Sequence, residues 1–296
     1  MRRRLVAAAA MLAAAAVSGA ADCPPARLRI AIPAAALRQG AILPVTVRSD
    51  TPVSRGTVTD GRREIPLTVS KDGRTLRALV GIDFESAPGP RTLRVEAVGA
   101  CGTTHKASRS VRVVAGRFRI QSLRVDPAYV EPPESERARI RLDHEMVARV
   151  WAAAEPARRW RGPFRKPVAA SAPGDFGAKR VFNGKPRSRH NGVDLAAPEG
   201  AAVLAPAPGV VVLSDELYFS GGTVILDHGS GLFTTYFHLS AIDVPPGTEV
   251  VAGQRIGAVG ATGRATGPHL HWGARLHDAR VNPLDLLRLP AIPKTD

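Results

Sequence analysis

His190-Asn191-Gly192-Val193-Asp194 is the stretch around which this chain is organised, and His269-Leu270-His271 near the end of the same region completes it. Neutral imidazole nitrogen and carboxylate oxygen suit Zn²⁺, and a catalytic zinc site uses three protein ligands and leaves the fourth position to water. Residues two apart in a strand point to one face, so His269 and His271 can both face one cleft. The two stretches therefore predict a metal site in a domain rich in strands.

Three motifs in this order resemble the lysostaphin-type zinc metallopeptidases, which cut peptide bridges in bacterial cell walls. They are RHNGVDLAAP at 189–198, YFHLS at 236–240 and GPHLHW at 267–272. The resemblance implies that His190, Asp194 and His271 bind zinc and that His238 and His269 are the two catalytic histidines. It also implies a mostly antiparallel β domain with the metal on the floor of an open groove.

Amide hydrolysis needs a group that takes the proton of the zinc-bound water and a group that stabilises the oxyanion. We expect His269 to be the general base because it shares a strand face with His271. His238 is expected to polarise the carbonyl oxygen or to orient the water, and the assignment between the two histidines stays open. Some relatives carry a tyrosine ahead of the first ligand. Residues 176–189 have none, so its role is left to His238 and zinc or is filled by Arg180 or Asn183.

The amino terminus has the pattern of a secretory signal. Met1-Arg2-Arg3-Arg4 is followed by an alanine-rich apolar run and then by Ser18-Gly19-Ala20-Ala21, a basic region, a short apolar region and a small-residue cleavage site. We predict a signal peptide over 1–21, with a retained anchor as the alternative, and a mature protein that is periplasmic or extracellular and has no stable membrane span. Export favours a disulfide between Cys23 and Cys101, worth about 4 kcal/mol in the chain-entropy model.

The rest of the chain divides into three parts and is mostly β. Residues 22–116 alternate apolar and polar side chains in short runs between turns, which predicts an immunoglobulin-like β-sandwich. Residues 117–166 predict a linker with one amphipathic helix over 134–154, which docks on a domain through Trp151. Residues 167–296 are expected to form the antiparallel β domain, for which the resemblance implies the zinc-containing groove. Other histidines are expected to be structural, at the surface or in a supporting role; they are His105, His144, His228 and His277.

The formal net charge of +15 suits an anionic partner such as an envelope polymer. Nucleic acid is disfavoured because aromatic residues are few and the chain carries an export signal. We therefore expect an exported zinc metalloendopeptidase that cuts peptidoglycan crosslinks, with D-Ala to diaminopimelate bonds favoured over glycine bridges. The alternatives are a non-enzymatic activator of another cell-wall hydrolase, which typically lacks some ligands, and a zinc-dependent carbohydrate-binding module, which would not need His238 and His269.

Overall fold

The computed structural model describes residues 25–61, 63–99, 101–171 and 175–291. The predicted signal peptide and Cys23 lie outside the described residues. Cys101 is disulfide-bonded, and its pairing with Cys23 stays a prediction. In the described part of the chain, no helix combines the length and the apolar character that crossing a membrane requires.

The amino-terminal region consists of nine strands in two sheets. In chain order they are β1 Leu28–Ala31, β2 Ala36–Arg38, β3 Ile42–Ser49, β4 Val53–Asp60, β5 Arg63–Pro66, β6 Thr68–Val69, β7 Thr75–Gly81, β8 Gly89–Gly99 and β9 Thr104–Val114. One sheet has the order β1-β3-β7-β6 and the other the order β2-β9-β8-β4-β5. The predicted alternation holds, since Leu43, Val45 and Val47 of β3 are buried and share one apolar core with Leu93 and Val95 of β8. The two sheets thus enclose a core of their own, as a β-sandwich requires.

The segment predicted as a linker adds elements to both neighbours. It contains strand β10 Ile120–Leu123, 3₁₀ turns at Pro127–Tyr129 and Glu134–Glu136, and helix α1 Arg137–Ala152. The helix lies within the predicted span and ends ahead of Pro156, whose ring cannot continue it. Its apolar stripe of Met146, Val147, Val150 and Trp151 packs on the carboxy-terminal sheet. Trp151 is the predicted anchor, since its ring lies edge-on to Phe233 with centroids 5.2 Å apart.

The carboxy-terminal region holds twelve strands in two sheets, counting β10. The others are β11 Lys179–Phe182, β12 Lys185–Arg189, β13 Gly192–Leu195, β14 Ala202–Leu204, β15 Gly209–Leu217, β16 Gly221–Asp227, β17 Leu232–Ile242, β18 Glu249–Val250, β19 Arg255–Val259, β20 Leu270–Leu276 and β21 Ala279–Val281, and a 3₁₀ helix follows at Pro283–Arg288. The large sheet has the order β13-β20-β17-β16-β15-β18, with β14, β19 and β21 paired at its sides. The small sheet has the order β10-β11-β12, in which β10 and β11 are parallel.

The two regions are joined by packing and by ion pairs. Ile42 and Phe84 of the amino-terminal region belong to the core cluster of the carboxy-terminal region. The guanidinium of Arg280 donates to both carboxylate oxygens of Asp83, each at 2.9 Å, and to Glu85 at 2.6 Å. Bidentate guanidinium–carboxylate pairs restrict orientation as well as distance. Residues of both regions also line a cavity of about 320 Å³, which contains none of the predicted site residues.

Candidate active site

The register of two strands brings the two ligand stretches together. β13 and β20 are antiparallel, and Asp194 pairs with His271 while Val193 pairs with Trp272. Directly opposed residues have Cβ atoms about 4.5–5.5 Å apart, so Asp194 and His271 project side by side. Val193 and Trp272 point to the other face, where both are fully buried. Gly192 is required at this point, because a Cβ there would lie 2.6 Å from Nε2 of His271.

Three potential ligand atoms converge on one point. Nε2 of His190 lies 2.9 Å from Nδ1 of His271 and 3.0 Å from Oδ1 of Asp194, and Nδ1 of His271 lies 3.1 Å from the same Oδ1. Zinc bonds of about 2.0–2.2 Å place neighbouring ligands of a tetrahedron about 3.3 Å apart, close to these separations. Two imidazole lone pairs and a carboxylate that face one another need a cation between them. The three residues therefore fit zinc, through borderline nitrogen and hard oxygen donors.

Neighbouring groups hold the rings and the carboxylate in place. Nδ1 of His190 lies 3.0 Å from a carboxylate oxygen of Asp175, which leaves Nε2 free to act as a ligand. Arg180 donates a hydrogen bond to Oδ2 of Asp194, so that Oδ1 alone faces the histidines. The ring of Phe237 stacks parallel on His271, with the centroids 5.0 Å apart. Each candidate ligand is thus oriented from outside the metal position.

The protonation states follow from burial and from these contacts. Burial alone would raise the pKa of Asp194, but hydrogen bonds from His190 and His271 outweigh it and hold that pKa well below its usual range. Burial alone would lower the pKa of His190, but Asp175 and Asp194 outweigh it and raise that pKa. For His271, burial dominates and lowers the pKa to about 4. The carboxylate is therefore ionised and His271 is neutral at pH 7.

The two remaining predicted histidines stand beside this triangle. Nε2 of His269 lies 3.6 Å from Oδ1 of Asp194, and the ring centroids of His269 and His238 are 4.9 Å apart. The side chains of Asp194 and His269 are 20% and 15% exposed, while those of His190 and His271 are buried. Solvent thus reaches the candidate site from the side of His269.

A local irregularity in β17 aims His238 at the site. Phe237 pairs with His271, so regular alternation would turn the next side chain to the opposite face. His238 instead has a φ of +64°, and the register on either side of it shifts. Irregularities of this kind redirect side chains next to active sites. Both Phe237 and His238 can therefore contact the candidate metal ligands.

Backbone carbonyls set the tautomers of these two histidines. Nδ1 of His238 lies 2.8 Å from the carbonyl oxygen of Thr262, and Nδ1 of His269 lies 2.8 Å from that of Gly267. A carbonyl only accepts, so each Nδ1 carries the proton and each neutral ring presents Nε2 as an acceptor. Burial, followed by the charges of His271 and His269, lowers the pKa of His238 to about 3. His238 is therefore neutral at pH 7.

Two residues considered for the oxyanion role are engaged elsewhere. Arg180 is bonded to Asp194, and its Nε also donates to Gln121 of β10 at 3.2 Å. Asn183 exchanges two hydrogen bonds with the backbone of Val125, at 2.9 and 3.1 Å. Arg180 thus holds a ligand and Asn183 fastens the linker segment, which disfavours both for the role of the missing tyrosine, and the assignment of that role stays a prediction.

Histidines outside the motifs lie apart from the ligands. His228 is fully buried and bonded to the carbonyl of Pro208 and to Thr234, at 2.7 and 2.8 Å. His277 lines the cavity between the two regions. His105 accepts from the backbone N–H of Ala26 at 3.2 Å. The structural role expected for these residues agrees with their contacts.

Asp175 is the residue that the motif reasoning missed. It lies ahead of the first motif and is the only acidic residue between Glu155 and Asp194. A lone carboxylate in a basic stretch shortly before a histidine ligand is a signal that sequence reasoning could have used, because such histidines need an acceptor for their second nitrogen.

Comparison with known proteins identifies the domain that contains the candidate site. Residues 188–283 match peptidase family M23. These residues form a peptidase M23 domain. The match contains His190, Asp194, His238, His269 and His271, and the resemblance inferred from the three motifs is confirmed. M23 peptidases are zinc metallopeptidases.

Relatives of the M23 domain include cell-wall enzymes. The DD-carboxypeptidase/endopeptidase Mpg of Neisseria meningitidis serogroup B is 43% identical over 108 residues, which are 36% of this chain and 25% of that protein. The peptidoglycan DD-endopeptidase ShyA of Vibrio cholerae is 40% identical over 109 residues, again 36% and 25%. The matched stretch thus spans a quarter of the length of these relatives.

A solved structure extends the similarity beyond the M23 domain. A crystal structure from Pseudomonas aeruginosa, assigned to peptidase M23, is 29% identical to this chain with a TM-score of 0.64. The alignment covers 84% of this chain and 94% of the other. A match of residues 188–283 alone could not reach that coverage, so the shared architecture includes regions ahead of the M23 domain.

Proposed function

We propose that the chain is an exported zinc-dependent metalloendopeptidase that hydrolyses peptide crosslinks of peptidoglycan. The observation that carries the proposal is the triangle of ligand atoms from His190, Asp194 and His271, with the acceptor nitrogens of His269 and His238 beside it. A structural zinc site closes its coordination sphere with four protein ligands, whereas a catalytic site uses three. Three ligands flanked by two further imidazole nitrogens are suited to hydrolysis.

Bound at these ligands, zinc would lower the pKa of a water molecule to about 7 and stabilise negative charge on the substrate carbonyl oxygen. His269 is the general base, because its Nε2 is an acceptor on the solvent side of the ligand triangle. It takes the proton of the attacking water and passes it to the leaving amine. His238 orients that water through its own acceptor nitrogen. A neutral ring with its only proton on Nδ1 cannot donate to an oxyanion, so water orientation is favoured over carbonyl polarisation.

The substrate assignment rests on the relatives and on charge. The relatives named above include a DD-endopeptidase that acts on peptidoglycan, which supports a D-Ala to diaminopimelate crosslink as the first choice and a glycine bridge as the second. The net charge of +15 would draw the protein toward anionic envelope polymers and acidic stem peptides.

The proposal includes the architecture of the exported protein. After removal of residues 1–21, an immunoglobulin-like domain over 22–116 precedes the peptidase domain over 167–296. The parallel pairing of the short β2 with β9 beside an otherwise antiparallel sheet and the two-sheet core support the immunoglobulin-like assignment. The segment 117–166 connects the two and carries α1.

Digestion of peptidoglycan sacculi tests the function and its main rival together. Sacculi with D-Ala to diaminopimelate crosslinks and sacculi with glycine bridges are incubated with the zinc-loaded protein, and the products are identified by mass. We expect cleavage of the first type by the protein alone. A non-enzymatic activator would release nothing without a second hydrolase, and that result would contradict the proposal.

His269→Ala separates catalysis from binding. Three ligands remain in this variant, so we expect parental zinc content and a rate lower by about 10²–10⁴, the contribution of a general base. His144→Ala, which removes an exposed histidine on α1, is the control and should keep the parental rate. Near-parental cleavage by zinc-loaded His269→Ala would refute the mechanism, and loss of zinc would mean that His269 is a ligand.

A further inference from the structure

A tight turn over residues 175–178 holds both the backbone and the ring of His190. The N–H of Gly177 donates to the carbonyl of His190 at 2.8 Å, and the N–H of His190 donates to the carbonyl of Ala178 at 2.9 Å. The turn is closed by a bond of 3.0 Å from the N–H of Ala178 to the carbonyl of Asp175. From this position Asp175 places a carboxylate oxygen 3.0 Å and its backbone carbonyl oxygen 3.3 Å from Nδ1 of His190. The place of the carboxylate therefore depends on how the turn is anchored.

Phe176 anchors the turn in the amino-terminal region. Its ring is 9% exposed and lies edge-on to Phe84, with centroids 5.6 Å apart and an interplanar angle of 85°. Its edge also touches Gly40, where a Cβ would lie only 2.3 Å from the ring. Gly40 stands in the turn between β2 and β3, and Phe84 follows β7. The socket of Phe176 is thus built by two loops of the amino-terminal region.

The socket itself is fixed from both sides. Gly40 donates from its N–H to the carbonyl of Ile82 at 2.8 Å and accepts from the N–H of Asn282 at 2.8 Å. The guanidinium of Arg280 lies 4.2 Å from the ring centroid of Phe84 while it binds Asp83. The ring of Phe176 is therefore held against two loops that are themselves fixed by these bonds.

We propose that the amino-terminal domain is a positioning part of the zinc site. Through Gly40 and Phe84 it fixes Phe176, which places the carboxylate of Asp175 against Nδ1 of the ligand His190. This inference rests on the proposed zinc site. Both the affinity for zinc and the stability of the fold then depend on a domain that supplies no ligand.

The expected loss of zinc affinity follows from what is known of groups that hold metal ligands in place. Loss of a residue that bonds the second nitrogen of a ligand histidine costs about 10–100-fold in metal affinity. Asp175→Ala removes the carboxylate but keeps the backbone carbonyl of residue 175 near Nδ1 of His190, so its loss of zinc affinity should fall within this range. Displacement of Phe176 leaves the carboxylate present but misplaced, so the loss should be about 10-fold, the lower end of the same range.

Two glycine variants of the full chain test the inference by zinc affinity, measured in competition with a chromogenic chelator. Gly40 and Gly61 both have a positive φ, +85° and +64°, but a Cβ at Gly61 meets nothing within 4 Å. Gly40→Ala and Gly61→Ala therefore introduce similar backbone strain, and only the first pushes on Phe176. We expect Gly40→Ala to bind zinc about 10-fold more weakly than the parent and Gly61→Ala to match the parent.

A second pair covers the case in which Gly40→Ala does not fold. Phe176→Leu shortens the ring in the socket, while Phe164→Leu makes the same change at a buried ring of the same core cluster that packs on Trp160. Weaker zinc binding in Phe176→Leu alone supports positioning. In the double variant of Gly40 and Phe176 the losses should be less than additive, since both act through one ring.

The outcomes separate this inference from the function on which it rests. If the parent binds zinc and each member of a pair has the same affinity, the amino-terminal domain does not position the site and the inference is overturned. The same holds if Gly61→Ala or Phe164→Leu loses as much affinity as its partner, because the effect is then general destabilisation. If the parent binds no zinc, the proposed function itself fails.

Discussion

Burial of His228 predicts how the free energy of unfolding changes with pH. Both ring nitrogens are engaged, with the carbonyl of Pro208 at 2.7 Å and with Oγ1 of Thr234 at 2.8 Å. Thr234 is bonded in turn to the hydroxyl of Tyr236 at 2.6 Å. Burial lowers the pKa of His228 from 6.5 to about 4. The folded protein therefore resists protonation at a position where the unfolded chain accepts it.

The sign and size of the effect follow from linkage. Above pH 6.5 both states carry neutral His228, and its full contribution to stability is present. As the pH falls from 6.5 to about 4, the unfolded state binds a proton and the folded state does not, so stability is lost over this window. The difference between the two pKa values corresponds to about 3 kcal/mol, most of which is lost by pH 4.5.

Urea unfolding at pH 7.5 and pH 4.5 measures this loss. Other groups also titrate over this range, so the comparison is between the parent and His228→Gln, whose side chain does not titrate. We expect the parent to lose about 2–3 kcal/mol more than the variant on acidification. His144→Gln, at an exposed position, should follow the parent. Parallel pH profiles for the parent and His228→Gln would refute the reasoning.

Three further predictions concern the metal, the disulfide and the helix. His190→Ala should lose stoichiometric zinc in metal analysis, and full retention would refute the ligand assignment. Non-reducing mass analysis of the exported protein should show the loss of two hydrogens for a Cys23–Cys101 bond, whereas two free thiols would exclude it. Trp151→Ala should lower the free energy of unfolding, measured in urea, by about 2 kcal/mol, less than the roughly 3–5 kcal/mol lost with a fully buried ring. Leu142 is 55% exposed on the same helix, and Leu142→Ala should lower it by less than about 0.5 kcal/mol. Equal losses would mean that Trp151 does not anchor α1.

The candidate ligands could be predicted because their spacing in the sequence determines much of their relative arrangement. His269 and His271 are two residues apart and share a strand face, and His190 and Asp194 flank the start of β13. What the spacing leaves open is the register that sets Asp194 opposite His271. The family resemblance supplied that step, because the pairing of strands so distant in sequence leaves no local pattern.

The linker contains a strand that the local sequence pattern does not predict. Residues 120–123 carry no strong alternation, and the sequence predicts a linker over 117–166; in the structure Ile120 is 72% exposed. The backbone of residues 120–123 pairs in parallel with β11 across a sequence separation of 59 residues, which only the folded chain reveals. The conformation of His238 is similar: no local pattern predicts its positive φ, and its N–H and Nδ1 lie against the carbonyl oxygens of Ser220 and Thr262, respectively.

These long-range contacts determine which oxygen of Asp194 faces the candidate metal position. Arg180 binds Oδ2 and is itself oriented by Gln121 of β10, so Oδ1 is left to the histidines. Asp175 orients His190 in the same indirect way. Residues 188–283, which match the peptidase family, therefore contain every candidate ligand, but Asp175, Arg180 and Gln121 lie ahead of the match. The ligands of the site are thus encoded in residues 188–283, whereas part of its geometry depends on the segments that precede them.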